Sequence, residues 1–401
     1  MEKKKVVVLC AAIAVTVCFI TALFTYNYVT SQERGNEIRI GSGNYDDIAK
    51  YMDMSDLEQI IQNTYYQEVS DESLVDGAMK GMVRALGDPY SVYYTEEEYG
   101  EYTSNREGIF VGIGVTVSPY EETGQLLVQA VYSGGPADMA GLNEGDIITA
   151  VDNSALIDLD FESATDILRG PSGSNVRITI LTPEGETRDM NLVRAEVQTQ
   201  YVFPTMLDED LAYIIVNEFR GNAAEEFADA LAFAAEEEAK GIVIDLRGNM
   251  GGNVSDAVSM LDQLLPEGIL VYSIDKNGDR NEWTSDASMN DIPIAVIVDE
   301  NSASASEIFA GAVQDYGRGP IVGTQTFGKG VTQVTLDMPH SGGGVKLTNA
   351  VYYTPNGRDI NGIGITPDKI VELPEDTSTL TQDTDSQLQA AMTALREQIE
   401  S

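Results

Sequence analysis

The sequence predicts a multidomain α/β protein, and three patterns carry this prediction. Residues 196–372 alternate short apolar strands with helices, which is typical of an α/β layer with a largely parallel sheet. Residues 106–195 combine short strands with glycine turns and therefore predict a separate β-rich module with two helices. Ahead of both, residues 6–25 form one uncharged apolar stretch. A chain of 401 residues has room for two or three such domains.

The composition excludes several classes of function. The chain has 65 acidic and 24 basic residues and a net charge of -41, which argues against nucleic acid as a partner. Its single histidine, His340, excludes a three-histidine zinc site. The two cysteines, Cys10 and Cys18, both lie in the apolar stretch, so no disulfide framework or thiol nucleophile is expected after it. We therefore predict no metal and no cofactor.

The sequence of the N-terminal residues predicts a membrane anchor. Three lysines, Lys3 to Lys5, precede the apolar stretch, which at 1.5 Å per residue can span a bilayer core of about 30 Å. The positive-inside rule then leaves the N-terminus in the cytoplasm and the remaining chain outside. A cleaved signal peptide is the alternative, but the stretch ends without a small-x-small site. We predict a signal anchor over residues 1–29 and a single-pass protein of the cell membrane.

Residues 30–105 predict a linker followed by helices. Apolar residues recur at helical spacing from Tyr51 to Tyr65, and Asp71 opens a second helix that ends near Gly87. The pattern indicates a small helical bundle that packs on another part of the protein. It suggests no chemistry.

Residues 106–195 resemble a PDZ domain. The order of strands and helices matches, and the run from Gly134 to Ile147 reads Gly-Gly-Pro-Ala-Asp-Met-Ala-Gly-Leu-Asn-Glu-Gly-Asp-Ile. In PDZ domains a glycine-rich loop donates backbone N–H groups to a peptide's terminal carboxylate, and the peptide then adds a strand to an open sheet edge. The alternative is that the glycines serve a tight turn. The loop expected to bind peptide consists of Val111, Gly112, Ile113, Gly114 and Val115.

Two loops of the α/β segment follow the carboxyl ends of apolar strands. Sites in parallel sheets usually lie at these ends. One runs from Asp245 to Gly252, and the other contains Ser302, Ser304 and Ser306 just before a helix. A serine at such a junction has the helix N–H groups and dipole available to stabilise a developing oxyanion. Serine is also a common N-cap, so one of the three can be structural.

A serine nucleophile needs a base, and the chain offers two kinds. His340 lies in a glycine-rich turn, and a Ser-His-Asp triad depends wholly on it. Lys329 lies between Gly328 and Gly330, and burial can lower a lysine pKa enough for it to act as a base.

Over about residues 45–372 the sequence resembles the carboxyl-terminal processing peptidases, also called tail-specific proteases. The domain order agrees, and the matching motifs are specific in combination. They begin at Asp88 (Asp-Pro-Tyr-Ser), Asp245 (Asp-Leu-Arg-Gly-Asn-Met-Gly-Gly), Ser302 (Ser-Ala-Ser-Ala-Ser-Glu), Thr326 (Thr-Phe-Gly-Lys-Gly), Tyr352 (Tyr-Tyr-Thr-Pro-Asn-Gly-Arg) and Gly364 (Gly-Ile-Thr-Pro-Asp).

The resemblance implies a serine endopeptidase that cuts proteins near their C-termini. Ser304 is then the nucleophile, Lys329 the general base, and Gln333 the residue that orients the lysine. The oxyanion hole is expected from Ala305 and from a glycine of the pair Gly251 and Gly252. Residues 196–372 are expected to form a peptidase core of the crotonase/Clp type.

One residue departs from the family pattern. Met250 stands where the family often has a small residue or proline. This departure leaves open which of the two following glycines contributes to the oxyanion hole.

Two other functions remain open from the sequence: a PDZ-bearing scaffold on an inactive core, and a Ser–Lys amidase for small molecules. The final segment, residues 373–401, is acidic and ends in a predicted helix over residues 386–399. We expect this helix to be solvated or to take part in a homodimer. Expected partners are polypeptide tails and the cytoplasmic membrane.

Overall fold

The computed structural model describes residues 42–106, 109–120, 124–132, 134–157, 159–208, 210–374 and 380–400. The predicted anchor over residues 1–29 lies outside these ranges. Within them, no helix combines the length and apolarity needed to cross a bilayer. The chain divides after Met79 into two compact units.

The helices of the described residues, numbered in chain order, are α1 Ser42–Thr64, α2 Asp71–Arg84, α3 Glu96–Arg106, α4 Pro136–Ala140, α5 Phe161–Asp166, α6 Ala223–Glu236, α7 Val254–Asp262, α8 Ala305–Asp315 and α9 Ser386–Ile399. The strands are β1 Val92–Tyr94, β2 Ile109–Gly112, β3 Val115–Pro119, β4 Leu126–Val131, β5 Ile147–Val151, β6 Ser154–Ala155, β7 Asn175–Leu181, β8 Thr187–Val193, β9 Ala195–Gln198, β10 Val202–Met206, β11 Leu211–Val216, β12 Gly241–Asp245, β13 Gly268–Asp275, β14 Arg280–Ser285, β15 Ile294–Val298, β16 Ile321–Gly323, β17 Val331–Asp337, β18 Gly344–Tyr353 and β19 Lys369–Ile370.

The first unit contains α1 and the start of α2, at the positions that the sequence predicts. The apolar stripe of α1 is exposed: Tyr51 and Ile60 keep 61% and 58% of their surface.

The β-rich module is a sheet of order β3-β4-β5-β7-β8, in which β6 also pairs with β5. Its core is formed by buried aliphatic residues such as Leu126, Ile148 and Ile178. Strand β3 pairs with β4 on one side and forms the edge of the sheet. Strands β2 and β9 pair with each other separately, and Gly114, at φ +83°, lies in the turn between β2 and β3.

The α/β core is built on a six-stranded sheet of order β10-β11-β12-β15-β16-β19. All its neighbours pair in parallel except β10 and β11, which confirms the largely parallel sheet. Successive strand residues point to opposite faces, so Ile242 and Ile244 pack in the cluster that includes α6, α7 and α8. Val243 packs on the other face, with α9.

The last helix corrects an expectation. The helix is not fully solvated, because Leu388 and Leu395 of α9 are buried against the sheet, whereas its part in a homodimer stays a prediction. The amphipathic pattern of α9 is explained by this packing.

A second sheet is antiparallel, with order β1-β18-β13-β14 and with β17 paired to β18. Strand β1 precedes the β-rich module in the chain but pairs with β18 of the core. The segment before β1 lies near Lys329, whose ammonium group is 4.8 Å from the centre of the Tyr90 ring. The end of α3 contacts Asn253, the residue after the glycine loop that follows β12.

Candidate active site

Ser304 lies at the junction between β15 and α8, at the N-cap of the helix. Its φ of 56° and ψ of -110° are a conformation that residues with a Cβ rarely adopt, and such strain is concentrated at functional sites. The backbone N–H of Ser304 donates to Glu307 Oε2 at 2.9 Å. The residue is 8% exposed and lines a pocket of about 480 Å³.

The other two serines of the loop have structural contacts. Ser302 Oγ donates to the carbonyl of Leu246 at 2.8 Å, and Ser306 Oγ donates to the carbonyl of Asn249 at 2.8 Å. Both serines are fully buried and neither lines the pocket. Of the three, only Ser304 reaches the pocket.

The glycine loop after β12 lies directly against Ser304. A Cβ on Gly251 would stand 2.8 Å from Ser304 Cβ and 2.7 Å from the carbonyl of Ala303, so only glycine fits there. The N–H of Gly251 already donates to Asn249 Oδ1 at 2.9 Å. By contrast, the N–H groups of Gly252 and Ala305 have no hydrogen-bond partner among the described residues.

Glu307 joins the serine segment to the lysine segment. Its carboxylate is fully buried and accepts the N–H groups of Ser304, Gly328 and Lys329 at 2.7–2.9 Å, as well as the hydroxyl of Thr326 at 2.6 Å. One buried side chain therefore fixes the backbone positions of both Ser304 and Lys329.

Lys329 lines the same pocket as Ser304 and is half-buried. Its ammonium group lies 4.8 Å from the centre of the Tyr90 ring. Burial lowers the pKa of Lys329, and the nearby Lys346 lowers it further, whereas Glu307 and Asp88 act in the opposite direction. The net pKa is below the ordinary value for lysine, which is the direction that a general base needs.

Gln333 lines this pocket too, on β17. Its Nε2 donates weakly to the carbonyl of Val331 and to Thr348 Oγ1, at 3.3 and 3.4 Å. Lys329 itself precedes β17, and the pairing register with β18 shifts between Thr332 and Gln333. The two side chains thus reach one pocket because the path between them is not a regular strand.

His340 does not share this environment. It is exposed, in the turn between β17 and β18, and it is not one of the residues that line the pocket. The arrangement gives no support to a triad that depends on it.

A second pocket, of about 340 Å³, lies between the edge strand β3 and α5. Four of the five predicted peptide-binding residues line it, namely Gly112, Ile113, Gly114 and Val115. Val111 does not: it pairs with Glu196 in the β2–β9 ladder. An open strand edge beside a groove is the geometry that strand addition requires.

The fold and the two pockets define the class of serine peptidases that carry a peptide-binding module. Comparisons with known proteins agree with this class. Residues 210–371 match the model of peptidase family S41, residues 127–182 match a PDZ domain, and residues 18–98 match the activating protease CtpB N-terminal domain.

Two relatives extend the match along the chain. The carboxy-terminal processing protease CtpA of Bacillus subtilis is 31% identical, over 82% of this chain and 70% of that protein. A Staphylococcus aureus protein described as a "Probable CtpA-like serine protease" is 32% identical, over 84% of this chain and 68% of that protein. The chain therefore belongs to the S41 serine peptidases, among the carboxy-terminal processing proteases. A solved S41 structure from Bacteroides fragilis, 16% identical with a TM-score of 0.53 over 83% of this chain and 91% of that one, shares the fold.

Some residues of the site were missed by the sequence reasoning. Glu307 was seen only as part of a serine-rich motif, although its position three residues after Ser304 is the N3 position of a capping box. Arg106 and Lys346 also line the pocket. The sequence did not indicate them, because neither lies in a recognised motif or in a predicted apolar pattern.

Proposed function

We propose that this peptidase cleaves polypeptides near their C-termini outside the cytoplasm, with Ser304 as nucleophile and Lys329 as general base. One observation carries the proposal. Of the three serines, only Ser304 lines the pocket of about 480 Å³, and Lys329, whose pKa is lowered, lines the same pocket.

In the proposed acylation step, the neutral amine of Lys329 takes the proton of the Ser304 hydroxyl as Oγ attacks the scissile carbonyl carbon. The carbonyl oxygen becomes an oxyanion, which the N–H groups of Ala305 and Gly252 stabilise. We assign Gly252 rather than Gly251 because the N–H of Gly251 is occupied by Asn249.

The lysine ammonium then gives its proton to the leaving amine, and the C–N bond breaks. In deacylation, Lys329 takes a proton from water, the resulting hydroxide attacks the ester carbonyl, and Ser304 Oγ recovers the proton. Gln333 orients the amine through its amide oxygen, which accepts no hydrogen bond from the described residues.

The substrate is selected by the groove at β3. In the proposal, a polypeptide tail adds to this edge and its terminal carboxylate meets the N–H groups around Gly112 to Gly114. Because the apolar stretch of residues 6–25 follows three lysines, we further propose that the chain is anchored in the cell membrane with its catalytic part on the outer side.

The test is labelling by a serine-reactive fluorophosphonate, together with hydrolysis of a peptide that the wild type cuts. Ser304→Ala should abolish labelling and lower kcat by at least about a thousandfold. Ser306→Ala is the matched control, because it removes a fully buried hydroxyl only two residues from Ser304 but outside the pocket. Retained labelling in Ser304→Ala would contradict the assignment.

The competing function is a binding protein on an inactive core. It predicts tail binding by the PDZ groove, but neither labelling nor cleavage. Catalysis is favoured by the buried carboxylate of Glu307, which fixes both Ser304 and Lys329.

A further inference from the structure

The catalytic pocket has a charge opposite to that of the protein as a whole. Acidic residues outnumber basic ones by 65 to 24 in the chain. Yet the charged residues lining this pocket are Arg106, Arg220, Lys329 and Lys346, against the single acid Glu218. Arg220 is paired with Glu218 at 3.0 Å, and Lys329 is the proposed base. Glu307 and Asp88, which act on Lys329, do not line the pocket, so Arg106 and Lys346 are the cations of the lining that no acid of the lining neutralises.

Neither of these two cations has a carboxylate within ion-pair distance among the described residues. The ammonium group of Lys346 lies over the rings of Tyr94 and Tyr102, at 5.8 and 5.4 Å from their centres. Aromatic faces stabilise a cation without neutralising it. Lys346 is also half-buried, so its charge has lost part of its hydration.

Arg106 ends α3 and donates to Asn253 Oδ1 at 3.2 Å. The amide of Asn253 in turn donates to Asp256 at 3.0 Å, so it separates the guanidinium group from that carboxylate. The position of α3 is fixed on the β17–β18 hairpin, where Tyr99 donates to Asp337 at 2.6 Å and Tyr102 lies 3.2 Å from Thr335 Oγ1. The guanidinium group therefore has a defined place at the pocket.

We propose that Arg106 and Lys346 form a carboxylate-binding subsite beside the scissile bond. The peptidase then prefers substrates that place an acidic side chain, or a terminal carboxylate that is not held in the β3 groove, within this pocket. Arginine and lysine bind carboxylates by charge-assisted hydrogen bonds, which are stronger than neutral ones. This inference rests on the proposed function of Ser304.

The test uses N-acetylated, C-terminally amidated peptides of one parent sequence that the wild type cleaves. Each carries Glu or Gln at one position beside the cleavage site, and kcat/KM is measured for both. We expect about a tenfold preference for Glu at one or two positions. Lys346→Met and Arg106→Gln should each reduce this ratio toward one. Because a change in the strength of Lys329 as a base affects both peptides equally, it cancels in the ratio.

The matched control is Lys276→Met, an exposed lysine that does not line the pocket, and it should keep the preference. Arg106→Glu reverses the charge at this position, so this variant should cleave a peptide with Lys at the tested position in preference to the peptide with Glu. A second pair of peptides lacks acidic side chains and differs only in having a free or an amidated C-terminus. This pair shows whether the subsite binds the terminal carboxylate rather than a side chain.

The inference would be overturned if kcat/KM were equal for the Glu and Gln peptides and also for the free and amidated peptides. It would be overturned as well if the preference for the carboxylate persisted in both Lys346→Met and Arg106→Gln. Binding of the Glu and Gln peptides to Ser304→Ala, read by fluorescence anisotropy, separates the two proposals. If Ser304 is not the nucleophile, the binding preference can still be measured. If binding shows no preference while Ser304 is essential, only the subsite is wrong.

Discussion

The Lys329 amine is surrounded by charges of both signs, and these determine how much of it is neutral at a given pH. Burial and the charge of Lys346 lower its pKa, whereas the carboxylates of Glu307 and Asp88 raise it. In the proposed mechanism, only the neutral amine of Lys329 can accept the proton of Ser304. We therefore expect kcat/KM to rise with pH as Lys329 loses its proton, and to do so below the range of an ordinary lysine.

Two substitutions should move this rise in opposite directions. Lys346→Met removes a neighbouring cation, so the pKa of Lys329 increases and the rise moves to higher pH. Asp88→Asn removes a neighbouring anion, so the pKa decreases and the rise moves to lower pH. Profiles of kcat/KM against pH for one uncharged peptide measure both shifts, with Lys276→Met as the reference. A profile that is unchanged in both variants would show that another group is the base.

At the scale of elements, the loop after β12 determines the shape of the space around Ser304. Gly251 and Gly248 both have positive φ, +105° and +69°. They differ in the room available for a side chain. A Cβ on Gly248 would meet no atom within 4 Å, whereas a Cβ on Gly251 would clash with the serine loop. The two glycines therefore allow backbone strain to be separated from the geometry of the site.

We expect Gly248→Ala to lose about 1–2 kcal/mol of the free energy of unfolding, because alanine is strained at positive φ. Gly251→Ala should lose more than this, because its Cβ also clashes with the backbone of the serine loop. Only Gly251→Ala should also lower kcat, by at least about tenfold, since the serine loop must move. Urea denaturation and peptide hydrolysis measure the two effects. Equal activity in the two variants would mean that close packing on Ser304 is not required.

The sequence predicted most elements of the core, because strands such as β12 and β15 are buried on both faces and read as continuous apolar runs. It also indicated Ser304 and Lys329, but it could not explain how they are joined. The four hydrogen bonds to Glu307 come from two segments about 20 residues apart, and only the tertiary fold brings these together.

Helix α3 shows a second limit of the sequence. It is polar along its length and has no apolar stripe, so no helical periodicity marked it. It is held by tyrosines instead: Tyr94, Tyr99 and Tyr102 stack with ring centres 4.7–6.5 Å apart, and two of them bond to β17. Contacts of this kind depend on the partner sheet and cannot be read from local sequence.

At the scale of the molecule, helices cover both faces of the parallel sheet in the core. The loops that carry the site are connected to the helix on the face opposite α8. Helix α9 covers the face opposite α8. Its N-cap residue, Asp385, pairs at 2.8 Å with Arg247, which also binds Asp245 at the end of β12. The segment that leads to the glycine loop is thus tied to the last helix of the chain.

Leu395→Ala tests whether α9 is part of this core. Leu395 is fully buried, so the substitution leaves a cavity and should lower the free energy of unfolding by about 2–5 kcal/mol. Thr393→Ala, on the exposed side of the same helix, should change it by less than about 0.5 kcal/mol. Urea denaturation at two protein concentrations provides the measurement. A loss of stability that varies with protein concentration would place α9 in a dimer interface, whereas a loss independent of concentration places its buried face within a single chain, because only association depends on concentration.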